Sequence, residues 1–280
     1  MLRYVNCLLV NRSFLNNNTY LRQKPLLDIR MKSSNLFKSF VSELQNRTHY
    51  LTEDSVRFSF FACMLKQDNY LDNYILESPY ALPITGAPTH ITISNGLAAQ
   101  SPKAKKPKQE LDMYYHDNAK NESWCIEIKF HRNPFAKTAF AHTDAAGSIF
   151  NDIKRLQLIH PLLGRSIHRL LVYVTDDEMH NYFNVGSIAY KNKDYRDILK
   201  AFYNSPLNAT QSYCFDKNNI SIPQTFLDSA NNSFTQPHVN PLTVNVKKKV
   251  DSSFITTCPS FKQDSKTGNR SCHILIYEVI

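Results

Sequence analysis

Apolar and polar positions alternate most clearly between Glu110 and Phe130. Glu110-Leu-Asp-Met-Tyr-Tyr115 and Ser123-Trp-Cys-Ile-Glu-Ile-Lys-Phe130 read as strands, and the polar break from His116 to Glu122 reads as a hairpin loop. A turn centred between Ala119 and Lys120 sets Asp112 opposite Glu127. Side chains alternate faces along a strand, so Glu127 and Lys129 share one face while Ile126 and Ile128 share the other. The pattern thus predicts a hairpin with Asp112, Glu127 and Lys129 together on one side and an aliphatic back.

Helical spacing flanks this hairpin. Leu36, Phe37, Phe40, Val41 and Leu44 form one apolar stripe. Thr52 is a suitable N-cap for a helix that opens on Glu53 and Asp54 and continues through Val56, Phe60, Phe61, Met64 and Leu65. After the hairpin, Ala146, Ile149, Phe150, Ile153 and Leu156 predict an amphipathic helix over 144–159, with Asp144 as its cap. Arg169–Thr175 is short, apolar and β-branched, as a buried strand is, and Tyr74–Ser78 is a candidate for an earlier strand. A helix follows over Asp194–Tyr203. The chain then turns rich in Asn, Ser, Thr and Gln from Ser205 to Asn240. Strands are expected again over 242–246, 253–257 and 273–279, forming either a small sheet of their own or an extension of the first.

Two carboxylates beside an ammonium suit metal-assisted hydrolysis of a phosphodiester. Carboxylates hold Mg²⁺, a hard cation that prefers oxygen, and the ion offsets phosphate charge and acidifies water. A lysine nearby orients water or stabilises developing negative charge. The spacing of Asp112, Glu127-Ile128-Lys129 resembles the core of the PD-(D/E)XK nuclease superfamily, which includes many restriction endonucleases. Leu111 stands where that family often has proline.

The resemblance implies an α/β fold with a restriction-endonuclease-like αβββαβ core. In it a central mixed sheet is flanked by helices, here with a β-rich C-terminal addition. It implies Asp112 and Glu127 as Mg²⁺ ligands together with the backbone carbonyl of Ile128, Lys129 as the group serving water and phosphate, and Mn²⁺ as a substitute ion. It also implies DNA, duplex above all, as substrate, with 5′-phosphate and 3′-hydroxyl product ends, and a homodimer if both strands are cut. The stretch from Glu127 to Met179 further resembles bacterial nuclease-like proteins associated with defence, so a restriction or defence role is expected.

Around this motif several residues carry two readings each. Glu53 either adds to the site, as a glutamate on the preceding helix often does in the superfamily, or only caps its helix and pairs with Arg57 at i+4. The stretch between Arg132 and Thr143 is expected as a loop at the rim, where His131, Arg132, Lys137 and His142 could meet phosphates. Asn151, Asp152, Lys154 and Arg155 form either a solvated helix face or, for Asp152 and Arg155, partners that turn toward Lys129. Lys103, Lys105, Lys106 and Lys108 lie in a proline-broken basic loop, either a solvated linker or a contact to nucleic-acid backbone. Lys247-Lys-Lys249 is a second basic cluster.

Composition narrows the alternatives. The 280 residues suffice for one main core with additions, and a formal net charge of +9 favours a polyanionic partner. Six scattered cysteines without C-x-x-C argue for a reducing compartment and against structural zinc; Cys63 and Cys125 fall in apolar patterns as core thiols. The sequence has no H-E-x-x-H, G-x-S-x-G, P-loop or G-x-G-x-x-G, which removes the common zinc and serine hydrolases, ATPases and nicotinamide enzymes. Residues 1–30 read as a dispensable N-terminal extension that the composition allows to be disordered. Residues 31–204 read as the nuclease-like core, and 205–280 as an addition for recognition or sheet extension. No apolar run is long enough to span a bilayer, and a cytoplasmic protein is expected. The alternatives to a nuclease are a catalytically silent nucleic-acid-binding module of the same fold and a protein-interaction domain in which Glu-x-Lys is only an ion pair.

Overall fold

A computed structural model describes residues 33–67, 73–79, 91–93, 110–117, 121–132, 141–161, 166–185, 193–232, 241–263 and 266–280, all within one compact unit, Met31–Ile280. The N-terminal extension 1–30, the basic loop at 101–109 and Lys137 lie outside the described residues.

Two helices lead in. Helix α1 (Ser33–Gln45) buries Leu36, Phe37, Phe40 and Leu44. Helix α2 (Glu53–Leu65) starts at Thr52, whose hydroxyl accepts from the Ser55 amide at 3.1 Å, as a capping threonine should. Strand β1 (Tyr74–Pro79) and the short β2 (Ile91–Ile93) follow, and then the hairpin of β3 (Glu110–Asp117) and β4 (Glu122–His131). Its register runs from Asp117 opposite Glu122 to Met113 opposite Ile126, which puts Asp112 and Glu127 at the next step. The strands extend further toward the turn than expected, with Asn121 in a left-handed conformation at φ 56°.

Helix α3 (His142–Gln157) then crosses over, past the short β5 (Ile159–Pro161), to β6 (Ser166–Thr175), which lies parallel to β4. The helix begins two residues earlier than expected. Asp144 is in its first turn rather than at the cap, and Ala141 at the cap position makes no side-chain cap hydrogen bond. Helices α4 (Asp177–Val185) and α5 (Lys193–Tyr203), strand β7 (Thr210–Phe215), helix α6 (Gln224–Ala230) and strands β8 (Leu242–Thr256) and β9 (Arg270–Val279) complete the order. The sheet is seven-stranded and mixed, in the order β1-β3-β4-β6-β9-β8-β7, and β2 and β5 form a separate antiparallel pair. Among the described residues, only the β4–β6 neighbours in the large sheet are parallel.

The two expected strands at 242–246 and 253–257 are one strand, β8, with a bulge between Lys248 and Val250, and the C-terminal strands extend the main sheet. Alternation along β8 also corrects the reading of Lys247–Lys249 as a basic cluster. Lys248 faces the core, fully buried, and its ammonium donates to the Tyr203 carbonyl and lies 2.7 Å from Asp251; Lys249 reaches Glu278 at 3.5 Å. Burial lowers the pKa of Lys248. Within the polar stretch 205–240, β7 and α6 form around Tyr213, Phe215, Phe226 and Leu227.

Both faces of the sheet are covered, which explains the near-continuous apolar runs of β6 and β9. Leu170, Val172 and Val174 of β6 meet α1 and α2, with Ile126 and Ile128 of β4 beside them. Leu171 and Tyr173 meet the other layer, where Phe150 of α3 packs on Phe202, Phe215 and Phe226 at centroid distances of 4.7, 4.8 and 5.5 Å. No helix among the described residues is long and apolar enough to cross a membrane.

Helix α3 approaches α6 closely at Gly147. A Cβ there would stand 2.5 Å from the Phe226 carbonyl oxygen and 2.8 Å from the Ser229 Cβ. Gly147→Ala is therefore expected to destabilise the fold by ~1–3 kcal/mol through overpacking, outweighing the gain of up to ~1 kcal/mol in helix propensity. Urea denaturation checks this, and a more stable variant would show that α6 can move aside.

Candidate active site

Along β4, Glu127, Lys129 and His131 point to the same side because they are two residues apart. Along α3, Ser148, Asp152 and Arg155 lie at spacings of four and three and so share one helix face. Two strand residues advance about 6.8 Å and helical steps of four and three about 6 and about 4.5 Å, close enough for long side chains to match the two rows rung by rung. They are. Glu127 Oε1 lies 3.0 Å from Arg155 Nη2, Lys129 Nζ lies 3.1 Å from Asp152 Oδ2, and Ser148 Oγ lies 3.5 Å from His131 Nε2. Arg155 also joins Asp152 along the helix at 3.0 Å.

Asp112 is tied differently. Its Oδ2 accepts the Ile128 amide at 2.7 Å, and its Oδ1 lies 2.9 Å from Arg57 Nη2. Glu127 and Lys129 are held by α3, whereas Asp112 is bridged to α2, the helix on the other layer. The apolar face of the hairpin is buried as the alternation implies, with Ile126 and Ile128 fully buried in the layer of α1 and α2.

Asp152 and Arg155 are 2% and 3% exposed, so they are not a solvated face. Asn151 is buried too, donating weakly to Asp152 at 3.4 Å, while Lys154 is half-buried. Glu53 is the first residue of α2, and its charge acts on Lys129. Arg57, expected only as an i+4 partner for Glu53, reaches Asp54 at 3.0 Å as well as Asp112. His131 is the last residue of β4, and Arg132 follows it directly. His142 opens α3, stacks on Tyr182 and lies 2.9 Å from Glu178.

Electrostatics assign protonation states. The Asp152 carboxylate raises the pKa of Lys129 above the usual lysine value, and Glu53 and Glu127 add to this against the opposing effect of burial. Lys129 is therefore a fixed cation. His131 is pushed down to about 3, first by burial and then by the Lys129 charge, so it is neutral near pH 7. Arg57, Lys129 and Arg155 against Asp112, Glu127 and Asp152 sum to zero charge. Lys129 is the most open of the six, its side chain 24% exposed against 2–3% for Asp112, Glu127, Asp152 and Arg155 and 12% for Arg57. Lys129 is therefore the side on which these six charges are most open to solvent.

Asp112, Glu127 and the Ile128 carbonyl supply oxygen alone, from adjacent strands, which is the donor set of Mg²⁺. Among the described residues no three His, Cys, Asp or Glu side chains already converge on one point. The donors fit the ion in kind, with Arg57 and Arg155 holding positive charge beside them. Comparison with protein-family models, with curated proteins and with solved structures gives no match to this chain. What is established at this point is an α/β protein whose seven-stranded mixed sheet carries a buried, charge-balanced cluster between strand and helix.

Removing Arg155 should strand Glu127 and Asp152. Arg155→Met is expected to cost ~3–5 kcal/mol, the range for breaking a buried pair from one side. The double variant Glu127→Gln with Arg155→Met should lose clearly less than the two single losses added together. Chemical denaturation of the set reads the coupling; additive losses would show that the pair is screened by solvent.

Proposed function

We propose that this protein is a divalent-metal-dependent phosphodiesterase that cleaves DNA, of the PD-(D/E)XK nuclease kind with a restriction-endonuclease-like core. The observation that carries this reading is the placement of Asp112, Glu127 and Lys129 on neighbouring strands of one hairpin whose second strand leads through α3 into a parallel strand. The element order α2-β1-β3-β4-α3-β6 supports it, being αβββαβ once the short β2 and β5 are set aside. A net charge of +9 supports a polyanionic substrate.

Asp112, Glu127 and the Ile128 carbonyl would hold Mg²⁺ or Mn²⁺, which supplies phosphate charge neutralisation and a more acidic water. The remaining work falls to the chain itself. Lys129, kept protonated by Asp152, donates to a phosphate oxygen and meets the negative charge that develops there. It acts as a charge rather than as a proton acceptor. Arg155 and Asp152 hold Glu127 and Lys129 in fixed rotamers, and Arg57 does so for Asp112. A divalent ion adds two positive charges to a neutral set, so Glu53 and the substrate phosphate must offset them. Ion and DNA then favour each other's binding.

One observation favours the second reading, a nucleic-acid-binding module that does not cleave: an arginine already matches each of the two carboxylates.

Supercoiled plasmid with Mg²⁺ or Mn²⁺ separates the two. Nicking or linearisation is expected, lost by at least ~100-fold in Lys129→Ala and in Asp112→Ala, as removal of one transition-state electrostatic contact costs. Salt-sensitive binding without cleavage would favour the silent module, and absence of both would leave an interaction domain.

A further inference from the structure

Tyr50 is an exposed aromatic on a rigid backbone. Its side chain is not tucked into the core, since the residue is 51% exposed. Its neighbours are pinned nonetheless. The Cys258 thiol donates to the His49 carbonyl at 3.0 Å, and the Ser260 hydroxyl donates to the Leu51 carbonyl at 2.9 Å while accepting the Leu51 amide. Leu51 and Ser260 are 1% and 0% exposed. The turn between β8 and β9 therefore clamps the residue on each side of Tyr50 and leaves its ring outside. A loop built this way has little freedom left to lose when something stacks on it.

Arg132 completes the feature. Its guanidinium carbon stands 4.4 Å from the Tyr50 ring centroid and 5.9 Å from that of Phe130, and it donates to the Tyr50 hydroxyl. Phe130 is in turn wedged edge-on against Phe261 at 5.8 Å. One face of the tyrosine carries a cation, and half of the residue remains open to solvent.

The position of this pair gives it meaning. Tyr50 is three residues before Glu53, whose charge acts on Lys129, and Arg132 is three residues after Lys129. Three residues span at most ~10 Å, about three base steps along one strand. A flat ring backed by a guanidinium within that reach of Lys129 suits the base of a nucleotide two or three along from a phosphate held at Lys129. A paired base inside a duplex has both faces occupied. Only an unpaired, flipped or terminal base offers its own.

We infer that Tyr50 and Arg132 form a stacking platform for one unpaired nucleobase, and that the strand engaged at Lys129 is unpaired there, as in a single strand, a frayed strand end or the locally opened regions of a supercoiled duplex. This rests on the nuclease reading for the identity of the neighbouring site. The clamp assigns a task to the C-terminal addition, which holds the platform rigid from the β8–β9 turn.

The test uses the full chain in EDTA, so that no cleavage is required. A single-stranded oligonucleotide carrying 2-aminopurine reports stacking by fluorescence quenching, and a blunt duplex of the same sequence serves as competitor. The wild type is expected to bind the single strand more tightly than the duplex and to quench the probe. Tyr50→Ala should weaken single-strand binding ~5- to 100-fold and abolish quenching, as loss of one stacked base does. Tyr50→Phe should retain both, and an unchanged melting temperature for the alanine variant excludes misfolding. Quenching and affinity in Tyr50→Ala equal to wild type, wild-type preference for the blunt duplex, or no binding by the wild type would each overturn the proposal. Binding and quenching as expected without cleavage in Mg²⁺ or Mn²⁺ would keep the platform and remove the nuclease reading. Cleavage with Tyr50→Ala binding and quenching like the wild type would do the reverse.

Discussion

The rungs between β4 and α3 are the constraint on which the site depends. Glu127–Arg155 and Lys129–Asp152 place four charges between a strand and a helix, at side-chain exposures of 2–3% for all but Lys129. Charges taken out of water cost several kcal/mol each, and only close, well-directed partners offset that. The pairing also sets position. Sliding α3 along the strand by one rung would bring Arg155 against Lys129, cation to cation, while Glu127 would lose its partner. Opposite signs on successive rungs thus exclude the neighbouring registers, a role for buried ion pairs that packing of Ile149, Ile153 and Leu156 alone would not provide.

That register determines what the site can offer. Asp152 keeps the lysine charged, Arg155 holds the glutamate in place, and Arg57 does the same for Asp112 from the opposite layer. The hairpin is the meeting point of the two layers: α3 holds its second strand and α2 holds its first. The three cations and three carboxylates pair with one another, which offsets the cost of burying them, and Lys129 leaves one side open to solvent. An ion and a phosphate entering there would exchange one set of balanced charges for another.

Much of this was legible in the sequence where the controlling interactions are local. The hairpin register followed from alternation, and the start of α2 followed from Thr52. The parallel strand β6 was marked by its apolar run. The rest was decided by tertiary packing. Asp152 and Arg155 sit on a helix with charged residues at ordinary surface spacing, and only the strand beneath them shows that they are buried. The matched advance of two strand residues and one helical step was the available signal. Lys247–Lys249 reads as a charge run, but a strand sends its middle lysine to the opposite face, here into the core beside Tyr203 and Tyr277. β7 and α6 were hidden by the polar composition around them, because Tyr213, Phe215 and Phe226 are too sparse for a periodic pattern and count only once packed on Phe150 and its neighbours.

The most direct measurement is Mn²⁺ uptake, followed by loss of the free-ion electron paramagnetic resonance signal with and without a short DNA, for the wild type and for Glu127→Gln. The account predicts uptake by the wild type that strengthens when DNA is present and is lost in the variant. Equal uptake by both proteins, or none by the wild type with DNA present, would contradict it.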